Sequence, residues 1–358
     1  MSESARPVLP SDASLRPVQA AEGLAPGVVA DWLNWGATEL AGHSDSARAD
    51  AEMLLAALLV VDRSQLRLRH EDTIEVATVL RYASCIERRK GGEPVAYIVG
   101  RQGFWTLELA VDTAVLIPRA DTETLVEWAI SVLPKQLPIV GRATPADPSD
   151  PGGRGPPYVL DLGTGSGAIA LAVACERADA FVLATDLSET ALDVARENAR
   201  LNGVSNVEFL RSSWFEALRK SPLPPGEGWV RDSAQTERLT APESLTPGPS
   251  PDGRGETSAL FDLIVSNPPY IAEGDEHLAA LRYEPRLALT SGPDGLDALR
   301  EIIRDAPQHL NAGGWLLLEH GHDQGAAVRE LLASAGFTSI ETRQDFGSND
   351  RVTGGQKP

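Results

Sequence analysis

From residue 158 onward the chain repeats one pattern: a short apolar run, a stretch with helical spacing, then another apolar run. The runs are YVLDLG (158–163), AFVLATD (180–186), VEFLRS (207–212), FDLIVSNPP (261–269) and WLLLEHG (315–321). The helical stretches are GAIALAVACERA (167–178), SETALDVARENARLN (188–202), GLDALREIIRDAPQHL (295–310) and DQGAAVRELLASAG (323–336). Strands without polar alternation need cover on both faces, and helical crossovers between parallel strands supply it. The pattern therefore predicts an α/β fold: a parallel sheet covered on both sides, with ligands at the carboxyl ends of the strands.

Upstream the spacing is purely helical. Apolar residues recur every three to four positions in VVADWLNWGATELA, in SARADAEMLLAALLV with Ser46 as a cap, and in EDTIEVATVLRYASCIERRK. These predict a small helical domain over residues 27–92, too modest for an enzyme site of its own and suited to docking a partner. Alternation in FWTLELAVDTAVLIP predicts a linking hairpin within 93–117, and IPRADTETLVEWAISVL resumes helical spacing at the start of a domain over 118–358. Residues 1–26 read as a disordered leader. Two Pro/Gly-rich segments, 134–157 and 220–258, lack periodicity and read as exposed or disordered insertions.

Composition narrows the function classes. With 358 residues and 42% hydrophobic content the chain can bury a full core. No apolar run reaches the roughly 18 residues of a membrane span, and the N-terminus lacks a secretory hydrophobic centre, so a cytoplasmic location is expected. Cys85 and Cys175 sit in helical stretches without metal-ligand spacing; two buried thiols are expected, with no disulfide and no metal. A net charge of −19, from 32 Lys and Arg against 51 Asp and Glu, disfavours bulk nucleic-acid binding and favours a positively charged protein partner.

The run Asp161-Leu-Gly163-Thr164-Gly165-Ser166-Gly167 ends one strand and opens the next helix. Its glycines let a ligand touch the backbone at a helix N-terminus. Asp186, at the end of the following strand, can accept two ribose hydroxyls as a carboxylate, or cap the helix that begins near Ser188. Gly163-x-Gly165-x-x-Ala168 also satisfies the dinucleotide pattern, so the turn and the acid mean a nucleoside cofactor, NAD or S-adenosylmethionine.

Asn267-Pro268-Pro269-Tyr270 follows a strand and chooses the chemistry. Two prolines stiffen the loop, so that the Asn267 side-chain oxygen and the Pro268 carbonyl form a fixed pair of acceptors for the two protons of a planar NH2 group. The Tyr270 ring can lie against the same plane. An amide nitrogen is a weak nucleophile, and acceptors on both N–H bonds orient it and favour positive charge on it. No catalytic base, nucleophile or metal is needed. An exocyclic amine of a nucleic acid base is also a planar NH2 group, so a nucleic-acid N-methyltransferase is the alternative, disfavoured by charge.

These motifs are not isolated. Beside DLGTGSG and NPPYI stand, in order, GEPVAYIVGRQGFW (92–105), IPRADTETLVEWA (117–129), ATDLSETALDVARENA (184–199), SSWF (212–215), YEPRLALTSGPDGLDALR (283–300), GGWLLLEHGHDQ (313–324) and NDRVT (349–353). The chain resembles the release-factor glutamine methyltransferases, the PrmC/HemK family. The resemblance implies a seven-stranded Rossmann-like S-adenosylmethionine methyltransferase domain behind a small all-α domain that docks the substrate. It implies N5-methylation of the glutamine in the Gly-Gly-Gln motif of class 1 peptide chain release factors. By position, Gly163, Thr164, Gly165, Ser166 and Gly167 would cradle S-adenosylmethionine, Asp186 would hold its ribose, Trp214 would lie near its adenine, and Asn267 would border it. Asn267, Pro268, Pro269 and Tyr270 would clamp the glutamine amide. Arg119, Asp121 and Glu123 would shape the entrance.

Two departures follow. The family usually carries an acid before the tryptophan of SSWF, and here that residue is Ser213, which weakens the expected contact to the adenine amino group. The tail also contains Gly354-Gly355-Gln356, the tripeptide of the implied substrate; it reads as the end of the last strand, not as a pseudo-substrate.

Overall fold

The structure, a computed structural model, describes residues 27–134, 156–220 and 260–358. The expected leader, and the two Pro/Gly-rich insertions apart from their first or last residues, lie outside these.

The N-terminal part is built from α1 (Val29–Leu40), α2 (Ala47–Leu59), α3 (Arg63–Leu68), α4 (Val76–Lys90) and α5 (Val95–Val99). In α1 the buried residues Val29, Trp32, Leu33, Gly36 and Leu40 form one stripe, and Val79, Tyr82, Ala83 and Ile86 of α4 form its counterpart. Gly36 is the contact point: a Cβ there would sit 2.1 Å from the Tyr82 hydroxyl. That hydroxyl crosses to donate to the carbonyl of Ala51 at 3.2 Å, tying α4 to α2. Ser46 holds the N-cap position of α2, but its hydroxyl bonds Asp50 Oδ1 at 2.8 Å instead of a backbone N–H. The third expected helix begins later than the spacing predicts, at Val76, because Thr73 pairs with Val28 in an isolated β-bridge. The short α3 and α5 have too few residues to show a period.

A hairpin follows, β1 (Arg101–Phe104) and β2 (Leu107–Ala110), antiparallel with Phe104 opposite Leu107. A single helical turn at Ala120–Thr122 leads into α6 (Glu123–Val132). The alternating region then runs β3 (Tyr158–Leu162), α7 (Ala168–Glu176), β4 (Phe181–Asp186), α8 (Glu189–Leu201), β5 (Val207–Arg211), α9 (Glu216–Lys220) and β6 (Phe261–Ser266). It continues with α10 (Asp297–Asp305), β7 (Leu310–Glu319), α11 (Gly325–Ser334), β8 (Thr338–Gln344) and β9 (Asp350–Gln356).

Seven strands form one sheet in the order β5-β4-β3-β6-β7-β9-β8. The strands from β5 to β7 are parallel, as expected, whereas β9 runs antiparallel to both neighbours. The difference has a simple cause: the few residues between β8 and β9 can join only an antiparallel pair. Helix α7 is buried from Ala168 to Ala174. Cys175, in its last turn, lies beyond that stretch and is exposed, and Cys85 is only half-buried, so the expected pair of buried thiols is not found. Gly354-Gly355-Gln356 lies in β9 between β7 and β8. A Cβ at Gly354 would meet Leu317 Cδ2 at 2.4 Å, so this tripeptide is part of the sheet.

The chain order reverses between β3 and β6, which pair in register with Leu162 opposite Ser266. Both strands end there side by side, and a crevice opens at such a point in a doubly wound sheet. The Ser266 hydroxyl donates to the Leu162 carbonyl at 2.7 Å and locks the two ends together.

Candidate active site

The glycine turn leaves β3 and folds back under β4. The amides of Gly163 and Thr164 both donate to the Thr185 carbonyl at 2.8 Å. Gly163 has φ +72°, a backbone conformation that favours glycine, and the Trp214 ring packs against it at ordinary contact distance, with Cζ3 3.5 Å from where a Cβ would stand. Gly167 has φ +84° at the N-cap of α7, where a Cβ would be strained by the backbone angle and would stand tightly against Leu171 and Ala195, at 3.1 and 3.2 Å. Trp214 itself holds φ +44°, an unfavourable value for a residue with a Cβ. The Ser212 hydroxyl holds it there, donating to the Trp214 carbonyl at 2.8 Å while accepting from Ala217 N at 3.0 Å.

Asp186 stands across from this turn. Its Oδ2 accepts from Gly165 N and its Oδ1 from Ser188 N, both at 2.9 Å. Capping of α8 falls to Ser188, whose hydroxyl accepts from Ala191 N. The carboxylate thus braces the glycine turn and keeps lone pairs for a ligand. Burial raises its pKa, and the backbone N–H bonds oppose the rise.

Asn267 emerges beside the turn from β6. Its Nδ2 donates to Thr122 Oγ1 at 3.3 Å, which leaves Oδ1 as the acceptor it presents. Pro268 is buried. The loop is fixed beyond it: Gln324 Nε2 donates to the Tyr270 carbonyl at 3.0 Å, and Ile271 pairs with Thr290. Gly295, at φ +76°, makes room for that carbonyl, since a Cβ would lie 2.3 Å from it. The Tyr270 ring packs on the core cluster between sheet and α10, and its hydroxyl reaches Glu319 Oε1 at 3.5 Å.

One cleft of about 310 Å³ runs between these parts. Gly163, Thr164, Gly165, Ser166, Asp186, Ser213, Trp214, Asn267 and Pro269 all line it; Gly167, Pro268 and Tyr270 do not. Of the PRADTE run, Pro118, Arg119 and Thr122 reach the wall. Arg119 also pairs with buried Glu284, whose other oxygen accepts from Ile117 N at 3.2 Å. Asp121 instead approaches Arg351 at 3.4 Å, and Glu123 accepts from Trp105 N at 2.9 Å in the hairpin, so the expectation that both shape the entrance is corrected. Among the described residues no cluster of His, Cys, Asp and Glu could hold a metal ion, and no helix is long and apolar enough to cross a membrane.

Comparison with known proteins adds to this geometry. Residues 31–100 match the family described as the PrmC N-terminal domain, and residues 158–226 match a methyltransferase domain. A release factor glutamine methyltransferase of Xylella fastidiosa is 45% identical over 313 residues, spanning 87% of this chain and 94% of that protein. Those of Pseudomonas aeruginosa and Yersinia pestis are 44% and 39% identical, over 87% and 91% of this chain and 94% and 97% of their own length. This chain belongs to the release factor glutamine methyltransferase family.

Two buried carboxyls, at the ends of β3 and β7, were given no role of their own by the sequence. Asp161, at the start of the glycine run, is fully buried; its Oδ2 accepts from Thr164 Oγ1 at 2.7 Å and from Ala170 N at 3.2 Å, while Oδ1 has no partner among the described residues. Burial pushes this carboxyl up to about 7. Glu319, at the end of β7, is 1% exposed and its Oε2 likewise lacks a partner. The signal was available: each is a lone acid closing an otherwise apolar strand, in YVLDLG and WLLLEHG.

Proposed function

We propose that the cleft binds S-adenosylmethionine and that the enzyme methylates N5 of the glutamine in the Gly-Gly-Gln motif of class 1 peptide chain release factors. The residues fit such a cofactor. A glycine turn exposes backbone, Asp186 has lone pairs left for ribose hydroxyls, and the Trp214 ring stands over Gly163. When bound, the cofactor supplies an electrophilic methyl group on a sulfonium.

The chain's own residues do the rest. Asn267 Oδ1 and the Pro268 carbonyl accept the two N–H bonds of the glutamine amide, hold its nitrogen toward the cofactor side of the cleft, and stabilise positive charge as the new bond forms. The N–C bond would form as the methyl's bond to sulfur breaks, one N–H proton passes to solvent, and the product is a neutral secondary amide. The observation that carries this reading is the pairing of Leu162 with Ser266, which sets the glycine turn and Asn267 side by side with Asn267 Nδ2 already committed to Thr122. Residues 27–92 form the docking domain, residues 93–117 link it to the catalytic domain over 118–358, and the enzyme works in the cytoplasm, where translation terminates.

The basic run Arg88-Arg89-Lys90 is engaged in ion pairs with Glu93, Asp50, Glu39 and Glu87, which leaves little for a phosphate backbone. The test mixes the full-length protein with methyl-labelled S-adenosylmethionine, a purified class 1 release factor and bulk ribosomal RNA. Label is expected in the factor; label in the RNA would overturn the reading.

A further inference from the structure

Four side chains from three segments of the chain bear on Glu319. The Tyr270 hydroxyl, from the loop after β6, donates to its Oε1 at 3.5 Å. The Thr122 hydroxyl, from the turn before α6, interacts with the same carboxylate, as does the Arg351 guanidinium of β9. Asp121 adds an opposing negative charge, while Arg351 is shared with Asp345 at 3.0 Å. Placing an ionisable group where water cannot reach it is costly, and the methyl transfer described above makes no use of it.

The cost has a use because Thr122 is also the partner of Asn267. A hydroxyl carries one proton. If that proton goes to a carboxylate, Thr122 Oγ1 can only accept, and the Asn267 end it accepts from is Nδ2, as found at 3.3 Å. A protonated Glu319 could donate to Thr122 instead. Thr122 would then donate onward, select Asn267 Oδ1, and turn Nδ2 toward the substrate, where donor would face donor.

We infer that ionised Glu319 is a positioning residue: through Thr122 it fixes the direction of the hydrogen-bond chain and keeps Asn267 Oδ1 facing the substrate amide, while holding Tyr270 at the other end of the loop. The inference rests on the proposed function and deepens it. Burial pushes the Glu319 carboxyl up to about 7, against the opposing effects of Thr122, Arg351 and Tyr270 and with that of Asp121. The direction of the chain therefore changes within the working range of a cytoplasmic enzyme.

The test measures kcat and KM with S-adenosylmethionine and a purified class 1 release factor, from about pH 6 to about pH 9, for wild type, Glu319→Gln, Thr122→Val and Thr122→Ser. Wild-type kcat is expected to rise about tenfold per pH unit below a midpoint near 7 and then level off. Glu319→Gln should lose that inflection. Thr122→Val should lower kcat at least about tenfold while KM for the factor stays within about twofold, and Thr122→Ser should restore the wild-type rate. An unchanged inflection in Glu319→Gln, or a wild-type kcat in Thr122→Val, overturns the inference while leaving the function intact. Should Glu319→Gln fail to fold, the threonine pair decides. Wild-type protein inactive on the factor at every pH overturns the proposed function itself.

Discussion

Ser213 shows how a single residue sets an affinity without touching the fold. It lines the cleft beside Trp214, whose strained backbone Ser212 holds in place. A hydroxyl there accepts a neutral hydrogen bond, whereas a carboxylate would accept a charge-assisted one, stronger by about 1.4 kcal/mol. Ser213→Asp is therefore expected to tighten S-adenosylmethionine binding about tenfold by calorimetry, and an unchanged or weaker affinity would contradict the adenine-side assignment. At this scale the sequence was most legible where a residue type has one physical use. Glycines at positive φ and an asparagine before two prolines announce themselves. Glu319 did not, because its role depends on Thr122, 197 positions away in the chain, and no local spacing encodes that contact.

Elements place these residues, and the loop after β6 is the one on which most depends. It is pinned by Gln324 on one side and by the gap left at Gly295 on the other. Gly295→Ala would put a methyl 2.3 Å from the Tyr270 carbonyl at a backbone angle that disfavours any side chain. The expected result is a loss of about 1–3 kcal/mol in urea unfolding together with a drop of about a hundredfold in methyl transfer, because a displaced loop moves both acceptors. A variant as active as wild type would show that the loop's position is not critical. The parallel strands were readable because each carries a short, mainly apolar run without regular polar alternation, and the amphipathic helices because their stripes are long. Helix α5, with five residues, and β8, with its mostly exposed face, offer no comparable period. The antiparallel β9 follows from a turn length, not from its residues, so its hydrophobic pattern carries no information about its direction.

For the whole molecule, Arg282 and Tyr283 both donate to the Gly91 carbonyl, joining the end of the helical part to the segment that walls the cleft. Function also bears on stability. Asp161 and Glu319 are each raised to about 7 by burial, from ordinary values of 3.8 and 4.5. Each binds its proton more tightly folded than unfolded, so its contribution is fully present below its unfolded pKa and is lost as pH rises through 7, up to roughly 3 to 4 kcal/mol apiece. Ligand-free protein should therefore melt at a lower temperature at about pH 8 than at about pH 5.5, with a smaller difference in Glu319→Gln; equal differences would contradict the buried-acid account. The most direct test of the central claim is mass spectrometry of the release-factor glutamine after incubation with S-adenosylmethionine and either wild type or Asn267→Ala. A monomethylated glutamine with the wild type and a loss of at least about a hundredfold in its rate of appearance with the variant are expected. Methylation by Asn267→Ala at the wild-type rate would contradict the claim that this side chain holds the amide for transfer.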